Sequence, residues 1–129
     1  MLRGQHRPEG ELSRADAAWL DVREHRALID AVGSPHLRVY YDVANSNRMG
    51  YDVYAEIRAL GRDLICEVHA KEYGFLLGRG RVDFPRVKEA LDVIGYEGWV
   101  QIEGALPAGM DLMEAYRANS AFLRGVLKG

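Results

Sequence analysis

Three short apolar runs in this chain each end in a side chain that can hold a cation or move a proton. Val39-Tyr40-Tyr41 leads into Asp42, Leu64-Ile65-Cys66 leads through Val68 into His69, and Trp99-Val100-Gln101-Ile102 leads into Glu103. Two carboxylates and one imidazole form a ligand set suited to Mn²⁺, Mg²⁺, Co²⁺ or Zn²⁺. A metal held that way polarises a carbonyl or hydroxyl oxygen, and a neighbouring carboxylate can then take a proton from carbon. Asn45 stands three residues past Asp42, and Lys71 two past His69. The amide can bond a substrate hydroxyl or merely shape a turn. The ammonium can meet a phosphate or carboxylate, or be a solvated loop cation. Each of the three principal residues also has a plainer role open to it. Asp42 can be a loop-start acid capping the helix entry at Gly50-Tyr51, His69 can be a core histidine bonded to a carbonyl, and Glu103 can be a solvated strand-end charge.

These groups meet only if their strands run parallel and end at one edge. A helix is predicted from an N-cap at Ser13, with an apolar stripe of Trp19, Val22, Ile29 and Leu20, Leu28, Val32, closed by Gly33 and Pro35. A strand follows over Leu37–Val43, rich in β-branched and aromatic residues. Next come a loop, a helix from Tyr51 to Leu60 and a strand from Leu64 to Val68. After a loop from Ala70 to Val82, Phe84-Pro85 opens a helix capped by Asp83 and ended by Gly95. Trp99–Ile102 is the last strand and Met110–Leu127 the last helix. Three strands thus alternate with four helices, their polar ends about 30 residues apart, which is the rhythm of βα units around a parallel sheet. Residues 1–12 read as an irregular arm before a folded portion over 13–129. Gly78-Arg79-Gly80 is either an anion cradle or a plain turn, the turn being preferred. Trp19, Tyr96 and Trp99 are assigned to packing, and His6, His25 and His36 to the surface or arm.

Composition narrows the partners. A chain of 129 residues with 48% hydrophobic and 28% charged residues suits one globular domain. The net charge of −2 provides no broad basic field for nucleic acid. No apolar run approaches the roughly 20 residues of a membrane span. The single cysteine, Cys66, lies in an apolar run and has no partner for an internal disulfide, which suits a reducing cytoplasm.

The motifs Tyr40-Tyr41-Asp42-Val43-Ala44-Asn45-Ser46, His69-Ala70-Lys71-Glu72, Gly78-Arg79-Gly80-Arg81-Val82-Asp83-Phe84 and Gly95-Tyr96-Glu97-Gly98-Trp99 with Ile102-Glu103 occur in that order. Together they resemble the sugar phosphate isomerase/epimerase superfamily, the xylose-isomerase-like TIM barrels, over roughly residues 20–127. The resemblance implies an α/β fold forming the C-terminal part of a (β/α) barrel. It implies a divalent metal on Asp42, His69 and Glu103, with Glu103 also a catalytic base. It implies a sugar or polyol substrate contacted by Asn45 and Lys71. Relatives carry a fourth ligand, a glutamate from an earlier strand. Only Glu9 and Glu11 precede Asp42 at a suitable distance, in a Gly/Pro-rich segment. A full barrel takes about 250 residues and eight strands, so three strands leave two edges unpaired and an inner face bare. That face is expected to carry Tyr40, Val43, Ile65 and Val100 or their neighbours. A homo-oligomer, or a partner supplying the missing strands, is the expected remedy. A non-catalytic half-barrel that self-associates is the alternative to an enzyme. A metal-dependent endonuclease for abasic DNA is a more distant one, because Asn45 stands where such relatives place a histidine.

Overall fold

The computed structural model describes residues 19–128. The arm over 1–12 and the cap at Ser13 lie outside that range. Within it, the first helix, α1 (Val22–Val32), starts later than its apolar period suggests. Asp21 is the N-cap, and its Oδ1 accepts from the Glu24 N–H at 2.9 Å while Glu24 Oε1 accepts from the Asp21 N–H at 3.1 Å. This reciprocal pair satisfies two helix-end donors and fixes the start. Gly33 closes α1 in the left-handed conformation.

β1 (Val39–Asp42) passes directly into a short helix, α2 (Val43–Arg48). A loop was expected here, so the described residues hold five helices rather than four. The reason is local: Asp42 accepts from the Ala44 and Asn45 N–H groups and starts a helical turn that has no apolar period to announce it. α3 (Val53–Leu60) follows, capped by Asp52. β2 (Ile65–Glu72) runs four residues past its expected end. It is the middle strand and pairs on both sides, Asp42 opposite His69 and Lys71 opposite Glu103. α4 (Phe84–Ile94), β3 (Trp99–Gly104) and α5 (Leu112–Lys128) complete the order.

The three strands form one parallel sheet in the order β1-β2-β3, as the strand rhythm predicts, and so the partial α/β barrel that the resemblance implies. The helices cover one face. Tyr41, Val43, Val53, Ile57, Val68, Ala70, Phe84, Val87 and Leu123 build the core there. Two of the residues expected on the bare face, Val43 and Ile65, are instead buried in this core, and Val100 packs against it half-buried. Tyr40 alone of the four is on the open face, together with Glu67, His69, Lys71, Trp99, Gln101 and Glu103. The register explains part of this. Val39 pairs with Ile65 but Tyr40 with Glu67, so β2 carries an extra residue at Cys66. Such a bulge turns its residue out of the pleat, and Cys66 is exposed rather than in the core. Trp99, expected to pack, is 82% exposed. Tyr96 does pack, half-buried, with its hydroxyl donating to the Trp99 carbonyl at 2.7 Å.

Candidate metal centre

Asp42, His69 and Glu103 lie on three successive parallel strands, and the sheet brings one ligand atom from each within 4.8 Å of the others. Asp42 does two things at once. Its Oδ1 caps α2, accepting from the Ala44 N–H at 3.1 Å and the Asn45 N–H at 2.9 Å. Its Oδ2 is buried with no hydrogen-bond partner. Lys71 Nζ lies 3.7 Å from that oxygen and His69 Nδ1 4.0 Å from it. Burial pushes the Asp42 carboxyl above its ordinary range, against the opposing pull of the Asn45 amide and of Lys71.

His69 sits between carboxylates. Its Nδ1 is 3.0 Å from Glu103 Oε2 and its Nε2 is 2.8 Å from Glu67 Oε1. The Tyr40 ring stacks on the imidazole, with centroids 4.9 Å apart and 25° between planes, and Trp19 meets Tyr40 edge-on at 5.8 Å. Lys71 Nζ donates to Glu103 Oε1 at 3.3 Å. Burial lowers the Lys71 pKa, but Asp42, Tyr73 and Glu103 outweigh it and hold the ammonium above its ordinary value. Among the described residues, Lys71 is therefore the one cation paired within a group of three carboxylates and an imidazole. Converging acceptor atoms, one of them buried and without a hydrogen bond, are what a divalent cation satisfies. The residues present fit such an ion.

Asn45 is at the edge of this group. Its backbone donates to Asp42, and its side-chain oxygen accepts from the Tyr73 hydroxyl. Tyr73 in turn lies 5.0 Å from Arg48 and 5.1 Å from Lys71, ring centroid to charge. A cavity of about 350 Å³ opens beside Tyr73, lined by Arg48, Phe75 and Arg81 among others. The glycine loop resolves differently from either reading of it. Glu72 is buried, and its Oε2 accepts from the Val82 N–H at 3.1 Å. A Cβ at Gly80 would come within 2.3 Å of that same oxygen. The anion this loop wraps belongs to its own chain. Burial raises the Glu72 carboxyl above its ordinary range. Glu67 is the residue of the cluster that sequence reasoning missed. Its signal was the two-residue spacing from His69, which places both on one face of a strand.

The profile of the xylose isomerase-like TIM barrel family matches residues 10–126. This chain belongs to that family. Among solved structures, it resembles an L-ribulose 3-epimerase with a TM-score of 0.75, at 23% identity, over 84% of this chain and 42% of that one. D-psicose 3-epimerase from Clostridium cellulolyticum H10 superposes with a TM-score of 0.70, at 23% identity, over 83% and 44%. The 3-keto-D-glucoside 4-epimerase of E. coli gives 0.68 at 30% identity, over 81% and 40%. The chain therefore spans less than half the length of these structures. A comparison with proteins of curated function finds no match. Among the described residues, no helix is long and apolar enough to cross a membrane.

Proposed function

We propose that the chain is a metal-dependent sugar isomerase or epimerase, acting on a small polyol, keto sugar or its phosphate by proton transfer next to a carbonyl, in the cytoplasm. The observation that supports this reading is the convergence of one ligand atom each from Asp42, His69 and Glu103 within 4.8 Å, with Oδ2 of Asp42 buried and making no hydrogen bond. Asp42, His69 and Glu103 would hold Mn²⁺, Mg²⁺, Co²⁺ or Zn²⁺, and the bound ion would supply polarisation of the substrate carbonyl. Glu103 is half-exposed at the open face and is the base: its carboxylate takes the proton from the carbon beside the carbonyl. The electron pair left behind moves toward the carbonyl oxygen. Protonation of the same carbon on its opposite side by a second acid or water gives an epimer; return of the proton from Glu103 to the neighbouring carbon, as the adjacent hydroxyl proton passes to the former carbonyl oxygen, gives an isomer. Lys71, held between Asp42 and Glu103, would meet an anionic or hydroxyl oxygen of the substrate. Asn45 would bond a second hydroxyl.

The open face of the sheet favours a companion reading. Among the described residues β1 and β3 each pair on one side only, and the large side chain of Trp99 stands in solvent. Self-association, or a partner supplying further strands, would cover both. The same observation fits a half-barrel without turnover.

Calorimetric titration of the metal-free chain with Mn²⁺, beside an Asp42→Ala/His69→Ala variant, decides between them. Binding in the parent and none in the variant is expected. Keto sugars and their phosphates incubated in D₂O with the loaded chain should then exchange the proton beside the carbonyl, and Glu103→Gln should slow exchange by about 10²–10⁴-fold. No Mn²⁺ binding by the parent would put the non-catalytic half-barrel first.

A further inference from the structure

We propose that Glu67 is a positioning residue that keeps the proton of neutral His69 on Nε2, leaving the Nδ1 lone pair turned toward Asp42 and Glu103. A neutral imidazole has one N–H, and both of its nitrogens here face carboxylates, which can only accept. One side must win. Glu67 Oε1 is the closer acceptor, at 2.8 Å against 3.0 Å for Glu103 Oε2. Glu103 also has another donor in Lys71, at 3.3 Å. Glu67 makes its one side-chain hydrogen bond among the described residues to His69. The proton therefore satisfies most by sitting between His69 and Glu67. Neighbouring strands hold this arrangement in place. Glu67 pairs with Tyr40 on one side and Trp99 on the other, and the Tyr40 ring stacked on the imidazole keeps its plane fixed. A ring locked in both plane and tautomer presents Nδ1 as a ready ligand, as outer carboxylates do for ligating histidines. The tautomer stands on hydrogen-bond geometry alone; its consequence for metal affinity rests on the metal reading above.

The test is long-range ¹H–¹⁵N correlation on the metal-free chain in buffer alkaline enough for the neutral-ring spectrum. In the parent, Nε2 should show the protonated-type shift and Nδ1 the lone-pair type. In Glu67→Ala, Glu103 becomes the sole close acceptor and the proton should move to Nδ1. Glu67→Gln, whose amide oxygen can still accept, should restore the parent pattern. Mn²⁺ affinity should fall about 10–100-fold in Glu67→Ala and recover at least in part in Glu67→Gln. A parent with the proton on Nδ1 overturns the proposal without any variant. So does Glu67→Ala with the proton still on Nε2. A shifted tautomer with unchanged Mn²⁺ affinity would overturn the ligand-presenting role. A parent that binds no Mn²⁺ would defeat the metal reading, while the tautomer measurement would still decide what Glu67 does to His69.

Discussion

β2 has two faces with opposite character. Val68, Ala70 and Glu72 turn toward the helices and are buried; Glu67, His69 and Lys71 alternate with them and turn toward the open side. On the covered face even the charged residue is accommodated, because the loop around Gly80 and Val82 was folded around the Glu72 carboxylate. On the open face three carboxylates, an imidazole and one ammonium crowd together, and one buried oxygen is left without a partner. One strand thus spends half its residues on stability and half on a site whose polar atoms do not all pair with one another. Unpaired groups of that kind are tolerated where function needs them.

The largest effect should come from interchanging the two characters. Val68→Asp places a carboxylate in the core with no cation to meet it, a cost of several kcal/mol against a total stability of roughly 5–15 kcal/mol. The variant should lose its cooperative urea transition. His69→Ala, one residue along, should keep that transition within about 1 kcal/mol while abolishing Mn²⁺ binding. If both variants lose the fold, the open face is structural and the contrast fails.

A middle-sized effect separates the two charged neighbours at the strand end. Glu72→Ala leaves loop N–H groups buried without an acceptor and should cost about 1–3 kcal/mol in urea unfolding. Lys71→Ala removes a partly exposed ion pair with Glu103, worth no more than about 1 kcal/mol, and a looser 3.7 Å contact with buried Asp42, whose carboxyl can take up a proton in its place. The two substitutions should differ in urea midpoint, with Glu72→Ala clearly lower. Equal midpoints would mean that the Gly80 loop does not depend on Glu72.

How much of this was legible in the chain follows from the same contrast. The three strand ends could be read because each apolar run stops at a chemically capable side chain, and repeating units about 30 residues long imply a parallel sheet. The family could be read because four motifs stand in order. α2 could not: its start signal is Asp42, whose other oxygen carries the candidate chemistry, so one residue type served two purposes. The far half of β2 looked like a loop because Lys71 and Glu72 are polar, yet one faces the site and the other a backbone cradle. α1 was read too long because Trp19 and Leu20 fit its apolar period, although Trp19 serves the open face by meeting Tyr40. The bulge at Cys66 left no mark in the residue types. It shifts the register so that Glu67, not Cys66, comes opposite Tyr40.

The smallest effect, and the most discriminating, is in pH. Asp42, Glu56 and Glu72 are all buried acids whose folded-state pKa is raised by loss of water, relative to ordinary values of 3.8 for the aspartate and 4.5 for the glutamates. A raised acid binds more protons folded than unfolded, so stability falls as pH climbs from the ordinary value through the folded one. These three acids should therefore make the metal-free chain lose stability as pH rises above their ordinary values of 3.8 and 4.5. Glu72→Gln should flatten part of that slope, because the neutral amide has no charge to desolvate. The two faces of β2 should then part company on adding Mn²⁺. A cation at the orphan oxygen of Asp42 compensates that carboxylate and should remove its share of the slope. Glu72 bonds to its loop on the other side of the sheet, and its share should remain. Urea midpoints across pH, with and without Mn²⁺, in the parent, Asp42→Asn and Glu72→Gln, resolve the two. If Mn²⁺ changes the slope in Asp42→Asn as much as in the parent, the ion binds elsewhere, and the open face of β2 loses its claim to be the site.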